Sequence, residues 1–128
     1  MSWTQYWEAV ADLTLGLREL GVKRGDAGGI MVSNRPEHVI ADLALNHAGC
    51  VPVSLYLTLP PDQLAYVVNH SQAVIAVVEN TAMLERLYSV REQFPQLRTF
   101  VLIEGSVVDE NVVTWSDVLA AGRERHCY

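Results

Sequence analysis

Val51 to Val78 reads VPVSLYLTLPPDQLAYVVNHSQAVIAVV, and the order of its parts decides the fold class. Val51 to Leu55 is a short apolar run of strand type. Pro61 suits the first turn of a helix, where its missing N–H is not needed, and Asp62 places negative charge at the positive end of that helix's dipole. Ala73 to Val78, AVIAVV, is apolar without interruption. A strand with one wet face alternates polar and apolar residues, so an unbroken apolar run predicts a strand covered on both faces. Strand, helix and doubly covered strand in this order make a βαβ unit.

The same grammar extends outward. Ser2 and Gln5 have capping-box spacing, and Tyr6, Val10, Leu13, Leu17 and Leu20 form one apolar stripe at steps of four and three, closed by Gly21 as a C′ residue. Lys23-Arg24-Gly25-Asp26 is a turn; its Arg-Gly-Asp tripeptide is read as a turn and not as an adhesion signal. Ile30 to Val32 predicts a short buried strand. Asn34 and Glu37 then have capping-box spacing around Pro36, for a helix that stops at Gly49. Beyond Val78, Thr81 to about Arg91 is helical and Thr99 to Ile103 is a further strand. Thr114 and Asp117 have N-cap spacing for a last helix ended by Gly122. Helices alternating with short apolar strands predict an α/β fold with a mostly parallel sheet and helices on its faces. No internal repeat or low-complexity linker divides the chain.

Composition bounds the function. The chain has 128 residues, half of them apolar and 19% charged, with a formal net charge of −6. That is a globular composition of single-domain size. No basic cluster exists, so nucleic acid is not an expected partner. The cysteines, Cys50 and Cys127, lie far apart, giving neither a disulfide framework nor zinc-ligand spacing. The N-terminus lacks the basic and apolar regions of a signal peptide, and no apolar run reaches the ~18–20 residues that span a bilayer. The expectation is a cytoplasmic chain without a transmembrane segment, in which the Asn69-His70-Ser71 sequon carries no glycan.

Residue chemistry by itself yields no active site: the expected catalytic, cofactor-binding and metal-binding residues are none. Gly25, Gly28 and Gly29 precede or enter a strand instead of joining a strand to a helix, so neither a Rossmann nor a Walker loop is present. His38 and His47 flank one helix, His70 lies at a helix end and His126 in the tail; no Cys, Asp or Glu stands at ligand spacing beside them. Ser54 and Ser71 sit in no nucleophile elbow. Ser33-Asn34 stands where a receiver domain would carry paired acids. Trp3, Tyr6, Trp7 and Trp115 are read as core aromatics and not as a stacking platform.

The segments WTQYWEAVADLTLGLRELGVKRGD, IMVSNRPEHVIADLALNHAG, VPVSLYLTLPPDQLAYVVNHSQA and VVEN, taken in order, resemble the N-terminal part of AMP-forming acyl-CoA synthetases. The long-chain fatty acid branch fits best, through NRPE followed by ADLA and a later Tyr56-x-Thr58 before a proline-led helix. The resemblance covers the chain to about Gly122, which sets the expected domain at 1–122 with an unmatched tail, RERHCY, at 123–128. It implies a parent reaction in which a fatty acid attacks the α-phosphate of ATP, giving an acyl-adenylate from which coenzyme A displaces AMP. ATP, magnesium and coenzyme A are the family's cofactors, and none is expected to be held by this chain. The family's phosphate loop, of the type T-S-G-T-T-G-x-P-K, and its catalytic lysine come after the matched region, and this sequence contains neither.

The resemblance therefore implies an incomplete N-terminal subdomain, inactive alone. Its possible partner is the remainder of a synthetase or a full-length homologue. A free-standing α/β binding or interaction module derived from that subdomain is the alternative, and an unrelated small doubly wound domain a more remote one. The coding DNA beyond Tyr128 is expected to encode the missing loop. Where it departs from the family pattern, the chain has Gly28 and Gly29 in a strand, His38 after NRPE, Ser54 and Leu57 around Tyr56, and His70-Ser71-Gln72 for Asp-Ser-Gly. Glycine within a strand costs roughly 0.5–1 kcal/mol against alanine, so Gly28→Val with Gly29→Ala is expected to raise the denaturation midpoint.

Overall fold

The AVIAVV run is the middle of the sheet. In a computed structural model describing residues 2–33, 35–55, 60–89, 96–97, 99–105 and 111–125, strand β3 (Ala73–Val78) lies between β1 (Ala27–Met31) and β4 (Thr99–Leu102). Strand β2 (Val51–Ser54) pairs outside β1 and β5 (Val112–Thr114) outside β4, giving the order β2-β1-β3-β4-β5 with every pair parallel. Ile75 and Val77 enter one apolar cluster, Ala76 and Val78 the other. Both faces of β3 are thus dry, which is why its sequence does not alternate. Between β1 and β3 the register slips, so that Ala27 faces Ala73 but Gly28 faces Ile75. Val74 is the extra residue of that bulge.

Helices α1 (Trp3–Glu19), α2 (Pro36–His47) and α5 (Trp115–Arg125) cover one face. Helices α3 (Pro61–Ser71) and α4 (Thr81–Tyr88) cover the other. The Ser2–Gln5 capping box forms: Gln5 N donates to Ser2 Oγ at 3.1 Å and Ser2 N to Gln5 Oε1 at 3.0 Å. The turn after α1 holds Gly21 at φ +91°, and Gly49 after α2 has φ +81°, conformations that glycine reaches without steric cost. Asn80 caps α4 by accepting the Met83 N–H at 3.0 Å, and Thr114 accepts the Asp117 N–H at 3.2 Å.

Several expectations change. The second capping box is not the device that starts α2: its N-cap is Arg35, with no side-chain cap bond, and Glu37 instead binds the Arg35 guanidinium. Asn34 lies outside the described residues, as do the Tyr56–Thr58 corner, Arg91, His126 and Cys127. Helix α4 ends at Tyr88, and β5 is a strand that its three-residue length hid in the sequence.

Gly122 does not end the last helix, which runs through it to Arg125. A Cβ at Gly122 would sit 1.7 Å from the carbonyl oxygen of Asp12, and one at Gly16 would sit 2.2 Å from that of Val118. The two glycines are the notches through which α1 and α5 touch backbone to backbone. Arg123 reaches Asp12 from the same contact, Nε to Oδ2 at 3.5 Å.

At Gly28 and Gly29 leucine methyl groups already occupy the space that a side chain would take. A Cβ on Gly28 would meet Cδ2 of Leu45 at 2.7 Å, and one on Gly29 would meet Cδ1 of Leu55 at 2.8 Å. Gly28 lets α2 sit close on β1, and both of these leucines are buried.

Trp3 and Trp7 are likewise not core: they are 72% and 45% exposed on α1. Tyr6 and Trp115 are half-buried against the core.

Candidate functional site

In a parallel sheet with this strand order, connections leave β1 and β3 toward opposite faces, and the crevice at their carboxyl ends is where ligands bind. The chain places a charged cluster there. Ser33 and Arg35 follow β1, Glu79 follows β3, Glu104 follows β4, and Glu37 stands in the first turn of α2. The ladder continues past the strand ends: Glu79 N donates to Met31 O at 3.1 Å and Glu104 N to Glu79 O at 2.9 Å. Backbone pairing therefore fixes both glutamates before their side chains act.

Arg35 is the hub. Its Nε donates to Glu37 Oε2 at 2.7 Å and its Nη2 to Glu37 Oε1 at 3.3 Å, a two-pronged grip. Nη1 donates to Glu104 Oε1 at 2.9 Å and lies 3.6 Å from Glu79 Oε1. Glu79 Oε1 also accepts both the N–H of Ser33, at 3.1 Å, and the Ser33 hydroxyl. Hydrogen bonding from Arg35 holds the Glu37 carboxyl below its ordinary range, against the opposing effect of burial. For Glu79 the Ser33 hydroxyl is the largest cause of a similar depression, with Arg35 adding to it. Bonds to Glu37, then Glu104, push the Arg35 guanidinium up.

The arrangement is a clip joining the start of α2 to the ends of β1, β3 and β4. Chemically it is an acidic site with its cation consumed. Each guanidinium nitrogen is turned toward a carboxylate, and among the described residues of the cluster three carboxylates surround one positive charge. Among the described residues no group of three or more His, Cys, Asp and Glu is placed to hold a metal ion. The described residues of the cluster thus turn carboxylates, around an arginine already held by them, toward the crevice.

The other residues weighed from the sequence are dispersed. His38 is half-buried on α2, His47 packs its ring against Trp7 at 6.0 Å, and His70 stacks on Tyr66 at 5.9 Å. Ser54 is exposed on the edge strand, the Ser71 hydroxyl donates to Val68 O at 3.1 Å, and the buried Cys50 thiol faces Lys23 O at 3.4 Å. Burial pushes that thiol up, away from a reactive thiolate. Gly25 borders a cleft of about 500 Å³ with Asp26, Asn69, Gln72 and Gln96. This cleft lies at the amino ends of the strands, away from the switch-point crevice. The cluster itself was missed in the sequence. Its available signal was an acid directly after each of two apolar strands, Glu79 after AVIAVV and Glu104 after FVLI.

Among known proteins, the AMP-binding enzyme family matches residues 1–125. A long-chain-fatty-acid–CoA ligase (ACSBG2) of Xenopus laevis is 30% identical over 126 residues, covering 97% of this chain and 17% of that protein. The peroxisomal long chain acyl-CoA synthetase 7 of Arabidopsis thaliana is 33% identical over 138 residues, 95% of this chain and 19% of its own length. Uncharacterized protein Rv1549 of Mycobacterium tuberculosis is 37% identical over 79 residues, which make up 62% of this chain but 45% of that protein. The fold agrees with the crystal structure of a long-chain-fatty-acid–CoA ligase from Archaeoglobus fulgidus at a TM-score of 0.84 and 23% identity, over 95% of this chain and 23% of that one. The chain spans under a fifth of the length of the ligases it matches in sequence and corresponds to their N-terminal part. With that match running from its first residue to Arg125, the chain belongs to the AMP-binding enzyme family.

Proposed function

We propose that the chain is a structural N-terminal unit of a long-chain-fatty-acid–CoA ligase, a scaffold that does not itself carry out adenylation. The observation that carries this reading is the state of the switch-point crevice. Adenylation builds negative charge on the α-phosphate and needs cations and backbone N–H groups aimed at it. Here the crevice holds Arg35 already bound by Glu37 and Glu104. The sequence given contains no glycine- and threonine-rich stretch of the type T-S-G-T-T-G-x-P-K. ATP, magnesium and coenzyme A would bind elsewhere in a complete ligase, and its acyl-chain preference would be set there too. This reading places the unit in the cytoplasm; among the described residues no helix is long and apolar enough to cross a membrane.

A second reading has one observation in its favour. Rv1549 is itself much shorter than the ligases, since 79 matched residues already make up 45% of it. A short chain carrying a match to 62% of this unit thus occurs, as a free-standing binding or interaction module would require.

A chimera separates the two. The matching segment of the Xenopus ligase is replaced by residues 2–125 of this chain, and acyl-CoA synthesis is measured. A ligase scaffold restores measurable synthesis with unchanged nucleotide dependence. A soluble, folded chimera that binds ATP yet makes no acyl-CoA would favour the module.

A further inference from the structure

We propose that the outer face of α1 is a self-association surface, on which α1 of a second copy of this chain packs in antiparallel fashion. A surface helix that only covers a core is polar on its outer side. Helix α1 is not. Its inner stripe, Val10, Leu13 and Leu17, is buried, and a second apolar row follows at steps of four, with Trp3 and Trp7 exposed and Ala11 and Leu15 half-buried. Trp3 and Trp7 are 72% and 45% exposed and meet edge to face at 6.1 Å. Behind the row lies a groove of about 290 Å³ lined by Trp7, Val10, Ala11, Thr14, Leu15 and His47.

The row is self-complementary. Ala11 is its small middle residue, so two copies can approach there along a twofold axis. With Ala11 on Ala11, Trp7 of each copy lies across from Leu15 of the other, a large residue against the partner's groove. Charge agrees with this register. Glu8 and Arg18 are both exposed on the same face and pair with no other charge among the described residues. In the antiparallel pair Arg18 falls opposite Thr4, one turn from Glu8 of the other copy, so each interface joins opposite charges twice. A parallel pair would set Glu8 beside Glu8 and Arg18 beside Arg18.

One helix face is smaller than the roughly 800 Å² per partner of a standard stable interface, so the dimer is weak, with a Kd on the order of 10–100 μM. Sedimentation equilibrium of the full chain up to about 200 μM tests it. The expected result is a reversible monomer–dimer equilibrium, and a chain that stays monomeric throughout that range overturns the proposal. Ala11→Arg puts a bulky charge on the twofold axis and should raise Kd at least about tenfold while the helical circular dichroism is unchanged. A dimer indifferent to Ala11→Arg uses another surface and overturns the proposal too. Glu8→Arg and Arg18→Glu should each weaken the dimer, and the two together in one chain should restore it. If the double variant stays as weak as the single ones, the antiparallel register is wrong.

Discussion

Replacing Gly28 with alanine would place a Cβ 2.7 Å from Cδ2 of Leu45, 3.0 Å from its Cδ1 and 3.3 Å from Cγ2 of Ile75. Leu45 and Ile75 are both 0% exposed, so neither can swing toward solvent. Two effects compete. Removing a strand glycine gains roughly 0.5–1 kcal/mol, whereas forcing an extra carbon into a packed core costs about 1–3 kcal/mol. The second wins, and Gly28→Ala should destabilise by roughly 1–2 kcal/mol. Gly28→Val, with two more methyl groups, should cost about 2–3 kcal/mol, or roughly 6–15 °C in Tm for a chain of this size. The assay is urea unfolding followed by circular dichroism, with an unchanged m-value certifying that only stability has moved. Leu45→Ala supplies the control. Alone it opens a cavity and costs about 2–5 kcal/mol, but beside Gly28→Ala it also removes the clash, so the double variant should be at least about 1 kcal/mol more stable than the sum. A raised midpoint for Gly28→Ala, or strict additivity with Leu45→Ala, refutes the close packing of α2 on β1.

Gly122→Ala should cost about 2–4 kcal/mol even though alanine is the better helix former by roughly 1 kcal/mol, because its Cβ would meet the Asp12 backbone at 1.7 Å; a thermal melt that rises instead would mean that α5 does not touch α1 there. Gln72 closes α3 at φ +58°, so Gln72→Gly should relieve left-handed strain and raise stability by roughly 0.5–1 kcal/mol, read as a higher urea midpoint. Glu37 and Glu79 titrate below their ordinary range in the folded chain; their contribution is therefore complete above the unfolded value of about 4.3 and is lost as pH falls through the lower folded values. Urea midpoints should fall on acidification below about pH 4.3, and Glu79→Gln should make that decline shallower.

The sequence yielded most where one residue pattern had one physical cause. An unbroken apolar run is what a strand dry on both faces requires, and AVIAVV is β3 to the residue. Ser2 with Gln5 and Thr114 with Asp117 needed only local geometry, and both sets of bonds form. What failed depended on partners distant in sequence. Gly28, Gly16 and Gly122 resemble weak points or helix ends until Leu45, Val118 and Asp12 are placed against them. Trp3 and Trp7 have core spacing, but their row faces away from the sheet. Glu37 was legible as a capping residue, yet its partner is Arg35, which in turn reaches Glu104 across 69 positions. That convergence follows from strand order, and no local pattern announces strand order.

The central claim is that this chain is scaffold, with the crevice arginine, Arg35, already held by Glu37 and Glu104. Fatty-acid-dependent ATP–pyrophosphate exchange by the purified, folded chain tests it most directly, with palmitate as the acid and a heat-inactivated sample as control. The account predicts exchange indistinguishable from the control, because nothing placed by these residues stabilises charge at an α-phosphate. Exchange that requires palmitate, rises with chain concentration and disappears on heating would contradict it.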